Sequence, residues 1–99
     1  MMENQIVQKI NTYLESQPVD KAWIFGSYAR NQQNDNSDID LMISFSKNSK
    51  ITLFKYADML LALEKITGRK VDLVEEGQIK YWAKAYVEKD KILIYERRA

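Results

Sequence analysis

The sequence predicts an α/β (α+β) fold, in which a small mixed β-sheet carries helices packed on it. Three observations lead there. Short runs rich in strand formers, Ala22 to Phe25, Asp38 to Phe45 and Lys91 to Tyr95, approach the usual strand length of about 5–6 residues. Around them lie longer stretches whose apolar residues recur with the period of a helix. The connection between the first two strands contains only a short helix and a loop, which favours antiparallel or mixed pairing over a long right-handed crossover.

The elements follow in order. Residues 3–16 set Ile6, Val7, Ile10 and Leu14 at helical spacing, and Pro18 forbids continuation. Lys21 to Phe25 is a strand, apolar on both faces and so expected at the centre of the sheet. Gly26 frees the backbone to turn, and Ser27 is placed to cap a short helix through Tyr28, Ala29 and Arg30. Asn31 to Ser37 (NQQNDNS) is a polar, turn-forming loop. Asp38 to Phe45 is the second strand. Alternation places Ile39, Leu41, Ile43 and Phe45 on its core face and Asp38, Asp40, Met42 and Ser44 on the other.

After a polar break, with Asn48 or Ser49 as the expected N-cap, Ile51 to Thr67 reads as a helix. Its expected core face is Leu53, Phe54, Ala57, Leu60 and Leu61, widened by Met59, Leu63 and Ile66, and Gly68 stands at the C-terminal cap. Val71 to Val74 is a third strand with Asp72 inside it. Glu76 to Lys89 is a last helix, in which Ile79, Trp82, Ala83, Tyr86 and Val87 form the apolar stripe and Tyr81 lies off it. Lys91 to Tyr95 closes the sheet as an edge strand.

Ninety-nine residues are expected to form one domain, 1–99, with a modest core. The net charge of +1, from 15 basic and 14 acidic residues, gives no electrostatic case for direct nucleic-acid binding or an anionic membrane. Cysteine and histidine are both absent, which excludes disulfides, thiolate or histidine metal sites and a Ser-His-Asp hydrolase. Acid–base work must therefore fall to carboxylates, Lys or Tyr. No apolar run approaches the ~20 residues of a membrane span and no signal segment opens the chain, so a cytoplasmic location is expected.

Chemistry concentrates in residues 23–44, WIFGSYARNQQNDNSDIDLMIS. A strand ending in Gly26-Ser27 with a helix start behind it offers unpaired backbone N–H groups, and a hydroxyl, to phosphate oxygens. Alone, such a Gly-Ser is most often a tight turn. Asp38 and Asp40 share one strand face, where aspartate is disfavoured and like charges repel unless a cation lies between them. Such oxygen ligands suit Mg²⁺, which takes one or two carboxylates together with substrate phosphates. A phosphate cradle beside a carboxylate pair points to metal-assisted nucleotidyl transfer. By spacing alone Asp72 is as readily an edge aspartate as a third ligand, whereas Arg30, a weaker signal, reads as a surface arginine on the short helix or as a charge on the triphosphate.

Gly26-Ser27, ten intervening residues and then Asp38-x-Asp40 resemble the signature of the DNA polymerase β-type nucleotidyltransferase superfamily. The longer string GSYAR…SDIDLMI resembles its minimal nucleotidyltransferase (MNT-domain) branch, often encoded as antitoxins beside HEPN-domain toxins. The resemblance extends over nearly the whole chain. It implies that Asp38, Asp40 and Asp72 form a catalytic triad holding two Mg²⁺ ions, with Asp72 also taking the proton of the attacking hydroxyl. Gly26, Ser27 and Arg30 would hold the triphosphate of ATP. Relatives commonly carry glycine after this arginine; here it is Asn31, which also tolerates left-handed backbone.

Larger relatives carry an acceptor-binding domain, so here the acceptor is expected on a partner in a hetero-oligomer. The resemblance implies a HEPN toxin, neutralised by transfer of AMP to a tyrosine with release of pyrophosphate. The alternative is an antitoxin that masks its toxin by contact, with weak or vestigial transferase activity.

Overall fold

The computed structural model describes residues 4–26, 38–78 and 81–97. Their elements run α1 (Asn4–Leu14), β1 (Val19–Phe25), β2 (Ile39–Phe45), α2 (Leu53–Thr67), β3 (Val71–Glu75), α3 (Tyr81–Asp90) and β4 (Ile92–Glu96). The strands form one mixed sheet in the order β3-β2-β1-β4. β1 pairs antiparallel with β2 and with β4, whereas β2 and β3 are parallel and are joined through α2. The expected central position of β1 and edge position of β4 are both observed. The expected short helix at 28–30 and loop at 31–37 lie outside the described residues.

One face of the sheet builds the larger core. Ala22 and Ile24 of β1, Ile39, Leu41 and Ile43 of β2, and Val71 and Leu73 of β3 pack with Ile10 and Leu14 of α1 and Met59 and Leu63 of α2. The opposite face buries Trp23, Met42 and Val87, with Phe25 and Val74 against them. Burying each large aliphatic side chain contributes about 1.5–3 kcal/mol. Period two in β1 and β2 thus feeds two apolar layers, as a central strand requires.

Several boundaries differ from expectation, each for a local reason. α1 ends at Leu14 rather than Ser16, because the N–H groups of Ser16 and Gln17 turn to the carbonyls of Tyr13 and Leu14. β1 begins at Val19, two residues early, since Val19 still pairs with Phe45 across an irregularity before Lys21. β2 begins at Ile39, so Asp38 lies just outside the strand. The N-cap of α2 is Thr52, whose hydroxyl accepts the N–H of Lys55, and not Asn48 or Ser49. Asn48 instead adopts a positive φ of 69° in the preceding turn. Gly68 caps α2 in the left-handed conformation as expected, its N–H on the carbonyl of Glu64.

The apolar face of α2 is the larger correction. Leu53, Phe54 and Leu61, expected in the core, are 83%, 85% and 64% exposed, and Ala57 is exposed too. Met59 and Leu63 are fully buried, flanked by Tyr56 and Leu60. Residues 56, 59, 60 and 63 form an i, i+3, i+4, i+7 stripe of their own. The last helix starts at Tyr81 and not Glu76, because Glu76 donates its N–H to Ile43 and Gly77 turns the chain at φ 94°. β4 is shifted one residue, to Ile92–Glu96. Ile79 and the side chains of Tyr81, Trp82 and Tyr86 lie outside the described residues.

Candidate active site

The end of β1 and the beginnings of β2 and β3 meet on the sheet face turned away from α1 and α2. In the antiparallel pair Phe25 stands opposite Asp40, and Gly26 then turns the chain at φ 73°. A Cβ added to Gly26 would lie 2.2 Å from Oδ2 of Asp40 and 3.2 Å from its Cγ. The Asp40 carboxylate therefore rests directly against the Gly26 backbone. Glycine is favoured there by its positive φ, and a side chain in its place would displace the Asp40 carboxylate.

Register brings the next acid in. Asp40 and Asp72 are partners across the parallel β2–β3 pair, with strands about 4.8 Å apart. Asp72 faces away from the core-facing Val71 and Leu73 and is exposed, whereas Asp40 is half-buried. Asp38, also exposed, precedes Asp40 by two residues, about 6–7 Å along an extended chain. Among the described residues no group of three carboxylates is arranged to hold a metal ion by itself. The structure thus sets Asp40 beside Asp72 and against Gly26, with Asp38 just before the strand that carries Asp40. Ser27 and Arg30 lie outside the described residues.

Beyond the acids, Trp23 and Met42 floor the same face under Val87 of α3. Lys91 Nζ stands 5.2 Å from the centre of the Trp23 ring and 2.9 Å from a Glu88 carboxylate oxygen. A cavity of about 300 Å³ is lined by Met42, Glu76, Gly77, Lys84, Val87 and Glu88.

Sequence inspection gave no reason to single out two residues that touch the strand of Asp72. The Glu64 carboxylate accepts the Val71 N–H at 3.0 Å, and the Tyr56 hydroxyl donates to the Leu73 carbonyl. Burial, then the negative charges of Asp72 and Glu75, push the Tyr56 phenol above its ordinary pKa of 10.0. Both side chains project from α2, and no local pattern reveals such contacts before the topology is known.

The mixed sheet and the paired acids at its glycine turn are features of a nucleotide-transferring domain. Residues 8–99 match the family described as Polymerase beta, Nucleotidyltransferase, and the chain belongs to that family. A Methanocaldococcus jannaschii protein inferred to be a protein adenylyltransferase is 40% identical over 72 residues, 72% of each chain. Among solved structures, a toxin–antitoxin crystallised with AMP-PNP superposes with a TM-score of 0.77 at 20% identity, over 93% of this chain and 74% of that one. A tri-AMPylated Shewanella oneidensis HEPN toxin in complex with its MNT antitoxin gives 0.64 at 14% identity, over 93% and 73%. At those identities the two structural likenesses establish the fold.

Proposed function

We propose that this protein is an antitoxin that transfers AMP from ATP to a tyrosine hydroxyl of a partner HEPN toxin, with Mg²⁺ as cofactor. The observation that carries the reading is the register pairing of Asp40 with Asp72 against the bare backbone of Gly26. Support for the substrates comes from the relatives: one is inferred to be a protein adenylyltransferase, one was crystallised with AMP-PNP, and one accompanies an AMPylated toxin. The unit is taken as a single domain, residues 1–99, acting in the cytoplasm. Among the described residues no helix is long and apolar enough to cross a membrane.

The donor set fits Mg²⁺. Asp40 and Asp72 offer hard oxygen ligands from adjacent strands, and an ion of this kind completes its shell from phosphates and water rather than from an all-protein cage. When bound, the metal supplies charge neutralisation at the phosphates. Gly26, with Ser27 and Arg30 beyond it, would hold the triphosphate tail. Asp38 and Asp40, with Asp72, would hold Mg²⁺, through which their carboxylates meet the phosphates without charge repulsion. Asp72 would accept the phenolic proton as the tyrosine oxygen bonds to the α-phosphorus; the bond to the bridging oxygen breaks and pyrophosphate leaves. In a chain without histidine, a carboxylate is the natural base.

The test separates chemistry from contact. Wild type incubated with Mg²⁺, ATP and its HEPN partner is expected to add one or more AMP masses to the toxin, on tyrosine, and to neutralise it. Asp72→Asn should still bind the toxin yet leave its mass unchanged. Intact-mass spectrometry beside a toxin assay decides: full neutralisation by the variant with no added mass would establish masking by contact instead.

A further inference from the structure

We infer that Tyr56 and Glu64 are positioning residues that hold the strand of Asp72 in register by engaging its backbone on the side away from β2. The inference rests on the reading of Asp72 as metal ligand and base.

β3 is a five-residue strand that, among the described residues, stands at the edge of the sheet and pairs only with β2, in the parallel sense. In a parallel pair the backbone groups of alternate residues face the partner strand. The Lys70 carbonyl accepts the N–H of Ile39 at 2.9 Å, so Val71 and Leu73 direct their N–H and C=O groups to the open side. Those are the groups that α2 engages: Glu64 takes the N–H of Val71, and Tyr56 donates to the carbonyl of Leu73. Asp72 is thus fastened at the residue before it and at the residue after it, while its own side chain stays exposed on the site face.

Register matters more here than elsewhere in the sheet. A one-residue slip of β3 would turn Asp72 into the core and bring out Val71 and Leu73. Even a partial slide would separate the carboxylate from Asp40, its present partner. The clamp is itself anchored. Glu64 lies in the last turn of α2, where its carbonyl is held by the N–H of Gly68, and Met59 and Leu63 between the two clamp residues are fully buried. α2 runs against β3, its later residue meeting the earlier strand residue, so both contacts form from one rigid helix.

The experiment titrates Mn²⁺, in place of Mg²⁺, into the full chain with the non-hydrolysable analogue AMP-PNP, and records melting temperature alongside. Tyr56→Phe and Glu64→Ala should each weaken Mn²⁺ binding by about tenfold, the effect of removing a residue that orients a ligand. Glu64→Gln keeps an acceptor for Val71 and should remain close to wild type. In an Asp72→Asn background, Tyr56→Phe should produce no further loss, because the clamp acts only through Asp72. Variants that melt earlier but bind Mn²⁺ normally, or that lose the same affinity with and without Asp72, would overturn the inference. Normal Mn²⁺ binding by Asp72→Asn alone would instead overturn the assignment of Asp72, and the clamp's role with it.

Discussion

At Gly26 a backbone requirement and a site requirement coincide, and substitution can separate them. Gly26→Ala must adopt a φ of 73°, which costs about 1–2 kcal/mol for a residue with a Cβ. The atom it meets is the end of the Asp40 side chain, which can rotate away. We expect a chain that folds, melts roughly 4–16 °C lower and loses most transfer activity as the carboxylate is displaced. Gly77→Ala is the control: its φ is 94°, with open space around it, so it should lose stability and keep activity. Calorimetry and a transfer assay on both variants check this. Undiminished transfer by Gly26→Ala would refute a role for that contact. The turn at Gly26 and the strand that carries Asp40 were legible in the sequence, whereas Asp38, expected inside that strand, lies just before it. Asp72 was only half legible, since its meaning depends on which strand lies beside it.

Among the elements, α2 shows where periodicity alone runs out. Its sequence carries two overlapping apolar stripes, one through Leu53, Phe54, Ala57 and Leu61 and one through Met59, Leu60 and Leu63. Either satisfies a helical repeat. The choice is made by α1 and the sheet, and by polar contacts that only the second orientation permits, Tyr56 and Glu64 on β3. Leu63→Ala is expected to cost about 2–5 kcal/mol, because the side chain is fully buried. Leu61→Ala should change stability by no more than about 0.5 kcal/mol, being 64% exposed. Denaturant unfolding of both proteins distinguishes the two stripes, and a larger loss at Leu61 would mean that the helix is rotated. The strands were read more securely than the helices, since in β2 only one alternate set, Ile39, Leu41 and Ile43, is wholly apolar.

Over the whole molecule, packing of α1 and α2 leaves an alkaline signature. The Tyr13 phenol is raised above 10.0 by burial first and by the negative charge of Asp58 second. A group whose folded pKa exceeds its unfolded value contributes fully below that unfolded value and loses its contribution as pH rises through the folded one. Melting temperature should therefore fall above about pH 10, and Tyr13→Phe should make that fall shallower. An identical slope in the variant would remove Tyr13 as the cause. The sheet order carries a consequence for how the protein comes into being. β1 meets β2 soon after it is made, but its other flank waits for β4, some seventy positions later, Trp23 finally facing Leu93. Arg97 then ties that last strand back to the carbonyls of Val19 and Gln17. Closing a segment of that length costs about 4 kcal/mol in chain entropy before any contact rewards it. During synthesis on the ribosome, the apolar central strand is thus left with one unguarded side until α2, β3, α3 and β4 have emerged. The newborn chain is most exposed to wrong pairing with its neighbours in that interval.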